Sequence, residues 1–135
     1  RLKRQGSAID VKPSIDYRDE TDLDEVAEGD SIEVQPGETL LGITVERVGL
    51  PDDVCGWFEG RSRFARLGLL VHISAGFMQP GTCNNQVLEI SNMAPRPLRL
   101  HPGTPICQFI FQRMEGRANH AGRYTRQSIA DFCRV

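Results

Sequence analysis

The sequence predicts an all-β domain, and three observations carry that expectation. Apolar stretches are short and recur about every 10–15 residues, with Gly or Pro dividing most of them. Little in the pattern follows the 3.6-residue period of a helix. The 135 residues are enough for a single core and too few for two, so one domain is expected over 1–135.

The strand candidates follow in order. Ser31-Ile32-Glu33-Val34-Gln35 alternates with period two and stops at the turn pair Pro36-Gly37. Leu40 to Val48 is next and ends at Gly49-Leu50-Pro51. Val54 to Phe58, Leu69 to Ile73, Gln86 to Ser91, Pro97 to Leu100 and Ile106 to Gln112 complete a sandwich or barrel. Two segments depart from this pattern. Asp16 to Asp30 carries eight acidic side chains and reads as a solvated loop or weak strand, or as a site for a metal or basic partner. Residues 115–127 are polar and include Gly116, Gly122, Arg117, Arg123 and Arg126. Within a polar C-terminal tail (115–135), they read either as a frayed end or as a flap that orders over an anionic ligand.

Composition narrows the function. A net charge of -2 argues against nucleic acid as the main partner, because phosphate-backbone binding leaves a basic excess. No apolar run approaches ~18 residues, so no membrane span is expected. The opening Arg1-Leu2-Lys3-Arg4 reads as the interior of a longer chain. Cys55, Cys83, Cys107 and Cys133 form no C-x-x-C pair, and His72, His101 and His120 do not cluster with them, so zinc is not expected. The H-x-E…P-C-x-x-C signature of zinc-dependent nucleobase deaminases is missing as well. Scattered cysteines without a secretory signal suggest reduced thiols in a cytoplasm. Cys55 and Cys107 flank bulky apolar residues and are expected in the core.

One stretch is chemically unusual. Arg61-Ser62-Arg63-Phe64-Ala65-Arg66 sets three arginines and a serine between two apolar strands. It is either a solvated basic loop or a phosphate site, where an anion would relieve the mutual repulsion and accept paired N–H donors. Glu89 likewise has two readings, an outward residue by simple alternation or a functional carboxylate. His72, alone in an apolar strand, reads first as a packed residue.

These residues carry a resemblance. Glu59-Gly60-Arg61-Ser62-x-x-Ala65-Arg66-Leu67-Gly68-Leu69, followed by Val71-His72-x-Ser74-Ala75-Gly76, resembles the core motif of the dCTP deaminases of the dCTP deaminase/dUTPase superfamily. Pro80-Gly81, Val87-Leu88-Glu89-Ile90, and Pro102-Gly103-x-x-Ile106-Cys107-Gln108-x-Ile110-Phe111 follow in order, and Gly6-Ser7-x-Ile9-Asp10-Val11 matches the family's first strand. The resemblance implies a distorted, dUTPase-like jelly-roll β-barrel, a homotrimer with active sites shared between subunits, and an N-terminal helix not included in this sequence. Trp57 would then lie in the core or at the trimer interface.

It further implies a hydrolase that deaminates dCTP to dUTP and ammonia without a protein-bound metal, magnesium being bound only through the substrate triphosphate. Glu89 matches the carboxylate that takes a proton from water and delivers it to the base. Ser62 and the carbonyl of Ala75 match the groups that hold this water, and Arg66 matches the arginine beside Glu89. Arg61, Gln108, Arg123, Tyr124 and Gln127 fall where sugar and phosphates are gripped, and Arg63 adds a charge nearby. Such chemistry needs a carboxylate that serves as base and then acid. Fixed acceptors must also orient the water.

The sequence departs from the family at Met78-Gln79, where Ile-Asp is usual. That aspartate meets the sugar 3'-hydroxyl, and in dUTPases it activates the water that attacks the phosphate chain. Gln79 can still bind a hydroxyl but is no base, so dUTP rather than dUMP is the expected product. The turn Thr82-Cys83-Asn84-Asn85 lacks the family's aromatic and glycine, and Arg63 replaces a second serine. A bifunctional deaminase/dUTPase and a nucleotide-binding regulator without turnover are the alternatives.

Overall fold

The computed structural model describes residues 1–3 and 8–133. Eight strands account for most of its regular structure: β1 (Ile32–Val34), β2 (Thr39–Gly49), β3 (Val54–Gly60), β4 (Leu69–Val71), β5 (Phe77–Met78), β6 (Cys83–Asn92), β7 (Leu98–Leu100) and β8 (Cys107–Arg113). Helical structure is limited to a 3-10 turn at Tyr17–Glu20 and two single turns, α1 (Ser62–Ala65) and α2 (Ile129–Phe132). The all-β expectation therefore holds.

The strands form three antiparallel sheets, ordered β1-β7, β2-β6-β4 and β5-β3-β8. Alternation decides which face of each is buried. In β6, Leu88, Ile90 and Asn92 point inward, while Glu89 and Ser91 stay half exposed between them. The inward residues join Val34, Leu40, Leu50, Phe58, Leu69, Val71 and Met78 in one core. Asn92 is fully buried within it, and its polar atoms are satisfied. Its Nδ2 donates to the carbonyls of Val34 (2.8 Å) and Arg96 (3.0 Å), and its Oδ1 accepts from the Ala94 N–H (2.8 Å). These bonds tie β6 to β1 and to the loop before β7.

β2 bulges between Ile43 and Arg47. The carbonyls of Thr44, Val45 and Glu46, which lose ladder partners there, all accept from Asn85 Nδ2 at 3.0–3.3 Å. Gly68 ends the turn after α1 with φ +89, and a Cβ there would come within 2.7 Å of the Ala94 amide. Glycine is required at that position on both counts.

Several elements differ from the sequence reading. The basic stretch Arg61–Arg66 is not a plain loop, since α1 forms within it. β6 begins at Cys83, inside what the sequence presents as a turn, because Cys83, Asn84 and Asn85 pair with Gly49, Val48 and Arg47 beyond the bulge. β4 stops before Ile73 because His72 takes a left-handed backbone (φ +50), a conformation His tolerates better than most side chains. The first strand implied by resemblance does not form over Ile9–Val11, and its Gly6 and Ser7 lie outside the described residues. The short β5 falls in no strand candidate. Cys55 is buried as expected, whereas Cys107 is half-buried and its thiol pKa is raised by that burial. Trp57 lies half-buried between Phe77 and Ile110 on the outward face of the β5-β3-β8 sheet.

Candidate active site

The chemistry-bearing residues fall into three groups. The first is centred on β6. The β4–β6 register places Val71 opposite Ile90, and the next residue, His72, continues the ladder by donating its N–H to the Glu89 carbonyl (2.8 Å). The left-handed turn then brings the His72 ring to the Glu89 side chain, with Nδ1 2.6 Å from Oε2. An ionised carboxylate has no proton to give, so Nδ1 carries the hydrogen and donates it. The ring is buried and packs edge-on against Phe58, whereas the Glu89 side chain is 41% exposed. A fixed ring thus holds a solvent-reachable carboxylate.

This contact sets the electrostatics. The hydrogen bond from His72 lowers the Glu89 pKa below the ordinary carboxylate value, and partial burial opposes the shift without reversing it. Glu89 is a carboxylate at neutral pH and can accept a proton. His72 is the site residue that sequence reasoning missed. It is packed, as its apolar strand suggests, but it also holds Glu89. Arg66, expected beside Glu89, is exposed at the C-terminal end of α1, and among the described residues no hydrogen bond or ion pair joins it, Ser62 or Ala75 to Glu89. Ser62 is exposed on α1, and Ala75 is exposed in the turn between β4 and β5.

The second group lies where β3 ends and β8 begins. Gly60 pairs with Cys107 and Glu59 with Gln108. The Arg61 N–H donates to the Ile106 carbonyl (3.3 Å) and its Nε to the Cys107 carbonyl (3.2 Å), which fixes the guanidinium against the start of β8. Arg63 is exposed, with its guanidinium 5.8 Å from the Phe64 ring centre.

The third group lies elsewhere. Gln79 follows β5, whose Met78 pairs with Gly56. Gly56 is four residues before Gly60, roughly 13 Å along β3. Arg123, Tyr124 and Gln127 are docked on the start of β6. Tyr124 and Gln127 give their carbonyls to Asn84 Nδ2 (2.6 Å) and the Asn85 N–H (3.1 Å), and Arg123 pairs with Asp16 (2.5 Å). Residues 123–127 are therefore docked on their own chain, and no hydrogen bond or ion pair among the described residues joins them to Arg61–Arg66.

A dCTP deaminase-like family model matches residues 1–114. The chain belongs to the dCTP deaminase-like family. Proteins named "dCTP deaminase, dUMP-forming" are similar to it over most of its length. That of Methanosphaera stadtmanae is 41% identical over 116 residues, covering 82% of this chain and 59% of the relative. That of Mycolicibacterium vanbaalenii is 44% identical over 110 residues, covering 82% and 58%. That of Dictyoglomus thermophilum is 40% identical over 147 residues, covering 98% and 75%. The chain thus spans about three-fifths of the length of the first two. Among solved structures, native EIAV dUTPase matches with a TM-score of 0.57 at 21% identity, over 72% of this chain and 78% of that one. The dCTP deaminase-like chain therefore has a dUTPase-like fold. Its relatives carry dUMP in their names, against the dUTP product expected from Gln79. No helix among the described residues is long and apolar enough to cross a membrane.

Proposed function

We propose that this chain hydrolytically deaminates dCTP, with Glu89 as the group that moves the protons. The observation carrying the proposal is the Glu89–His72 pair: a carboxylate kept ionised, aimed by a buried ring, yet open to solvent. Glu89 takes a proton from water, the resulting hydroxide adds to C4 of cytosine, and the same carboxyl returns the proton to the base. Glu89 then takes the proton of the new C4 hydroxyl and delivers it to the amino group, so that collapse at C4 breaks the C–N bond, ammonia leaves and the uracil carbonyl remains. Ser62 and the Ala75 carbonyl are assigned to hold the water, and Arg66 to stand beside Glu89. His72 positions Glu89 and does not itself touch the substrate.

Arg61, Arg63 and Gln108 are assigned to the sugar and phosphates at one end, and Arg123, Tyr124 and Gln127 at the other, with Gln79 at the 3'-hydroxyl. These groups are spread over separate parts of one chain, which fits a site completed by neighbouring copies in a homotrimer. Magnesium is assigned to the substrate, as an ion carried by the triphosphate. Its chemistry there is to neutralise phosphate charge; the protein's part is the arginines. A jelly-roll barrel acting in the cytoplasm on pyrimidine deoxynucleotides completes the proposal.

A second reading, deamination with loss of pyrophosphate to give dUMP, is favoured by the names of the relatives. Gln79 opposes it, having no group to serve as base. The test is a panel of nucleotides with magnesium, followed for ammonia and pyrophosphate together. Ammonia without pyrophosphate from dCTP, falling roughly 10²–10⁴-fold in Glu89→Gln, is the expected result. Equal release of both products selects the dUMP-forming reading. Tight dCTP binding with no ammonia, unchanged in Glu89→Gln, overturns both in favour of a nucleotide-binding regulator.

A further inference from the structure

Phe58 stands where two parts of the assigned water site meet on one chain. It is buried towards the end of β3, and its ring meets the His72 ring edge-on, with centres 5.6 Å apart and planes at 89°. His72 in turn holds Glu89 through Nδ1. On the main-chain side, the Phe58 N–H donates to the Gly76 carbonyl (2.9 Å). Gly76 directly follows Ala75, whose carbonyl is assigned to hold the water. Space is tight at this joint: a Cβ on Gly76 would come within 3.2 Å of the Phe58 carbonyl and 3.4 Å of the His72 carbonyl. One residue therefore fixes both ends of the turn 72–76, its ring at His72 and its amide at Gly76. His72 needs such a hold, because a left-handed histidine (φ +50) persists only where its surroundings impose it.

Phe58 is itself braced from behind. The Phe109 ring lies 4.8 Å from it at 76°. Phe109 reaches that place by lying over Gly56, where a Cβ would strike its ring. A glycine inside a strand weakens it and marks a close approach. Here the approach delivers Phe109 to Phe58.

We propose that Phe58 is the positioning residue of the site, setting Glu89 through the His72 ring and the Ala75 carbonyl through Gly76, with Phe109 as its brace. An edge-on aromatic pair fixes orientation as well as distance, which an aliphatic side chain does not. The proposal rests on the reading that Glu89 moves the protons and Ala75 holds the water, but one of its readouts needs no turnover.

The test uses Phe58→Leu and Phe109→Leu in the full chain. The second leaves residues 72–76 untouched and decides the matter alone if the first does not fold. Two quantities are read: ammonia release from magnesium–dCTP, and solvent exchange of the His72 Nδ1–H, followed by NMR with 15N-labelled histidine. In Phe58→Leu, kcat should fall by on the order of ten- to a hundredfold, the cost of a misplaced reacting group. KM should not change, because the groups assigned to sugar and phosphates stay in place. Exchange of the Nδ1–H should rise by up to about tenfold, the scale of one edge-on aromatic pair. Phe109→Leu should move both quantities the same way by less. Gly76→Ala crowds the joint from its other end and should also lower kcat with KM unchanged. Unchanged kcat, or unchanged Nδ1–H exchange, in both leucine variants overturns the proposal even if their urea midpoints fall. Deamination stands in that case wherever the wild type releases ammonia. Unchanged kcat in Gly76→Ala overturns the link to Ala75. A loosened Nδ1–H in a chain that releases no ammonia upholds the hold of Phe58 on Glu89 and refutes deamination.

Discussion

The contact between His72 and Glu89 can be isolated by a double-mutant cycle, using His72→Ala, Glu89→Gln and the double variant. A hydrogen bond to a charged group contributes about 1.5–3 kcal/mol where it is buried. Glu89 is 41% exposed, so screening by solvent brings the expected coupling down to about 1 kcal/mol. His72→Ala alone also loses the edge-on contact with Phe58 and should cost about 2 kcal/mol in total. The sign with pH follows from the direction of the shift. The folded pKa of Glu89 is depressed, so its contribution is fully present above the unfolded value, about 4.3, and is lost as pH falls through the folded value. Urea unfolding of the four proteins at pH 7 and at steps of falling pH follows the coupling as Glu89 becomes protonated. A coupling near zero at pH 7, or one that survives full protonation of Glu89, would refute the reasoning. The catalytic counterpart is that His72→Ala moves the acid limb of the dCTP pH–rate profile towards neutrality.

Two further outcomes concern the frame of the site. Asn92→Ala strands the carbonyls of Val34 and Arg96 and the Ala94 N–H in the core, and should lower stability by roughly 3 kcal/mol or more; denaturant midpoints would show it. Gly68→Ala forces a Cβ into a left-handed residue against the Ala94 backbone and should cost about 1–3 kcal/mol. Because the same turn presents Arg66, its kcat should fall too, whereas a loss of stability with unchanged turnover would detach that arginine from the reaction.

Strands that alternate plainly were legible in the sequence. β1, β2, β3 and β8 begin within a residue of where period two and the Pro/Gly breaks put them. β5 was not, because two residues cannot display a period. The start of β6 was hidden because Asn84 and Asn85 are turn formers by themselves, and only their partners, the bulge of β2 and the tail, make them strand residues. Glu89 stands out in the sequence as a candidate through the motif around it. His72 does not, since what distinguishes it is a neighbour seventeen residues away, supplied by the register of β4 on β6 and by a left-handed backbone. The docking of the tail rests largely on main-chain carbonyls, which every residue has, so no side-chain pattern announces it.

Asn85 links two features that are distant in sequence. Its amide N–H holds Gln127 while its side chain spans the bulge of β2. Val45, at the crest of that bulge, is 74% exposed and outside the ladder. A fluorophore attached there through a Val45→Cys substitution would ride on the bulge that the Asn85 side chain holds, one residue's width from the tail held by its backbone, so the bulge offers a reporter position outside the catalytic machinery.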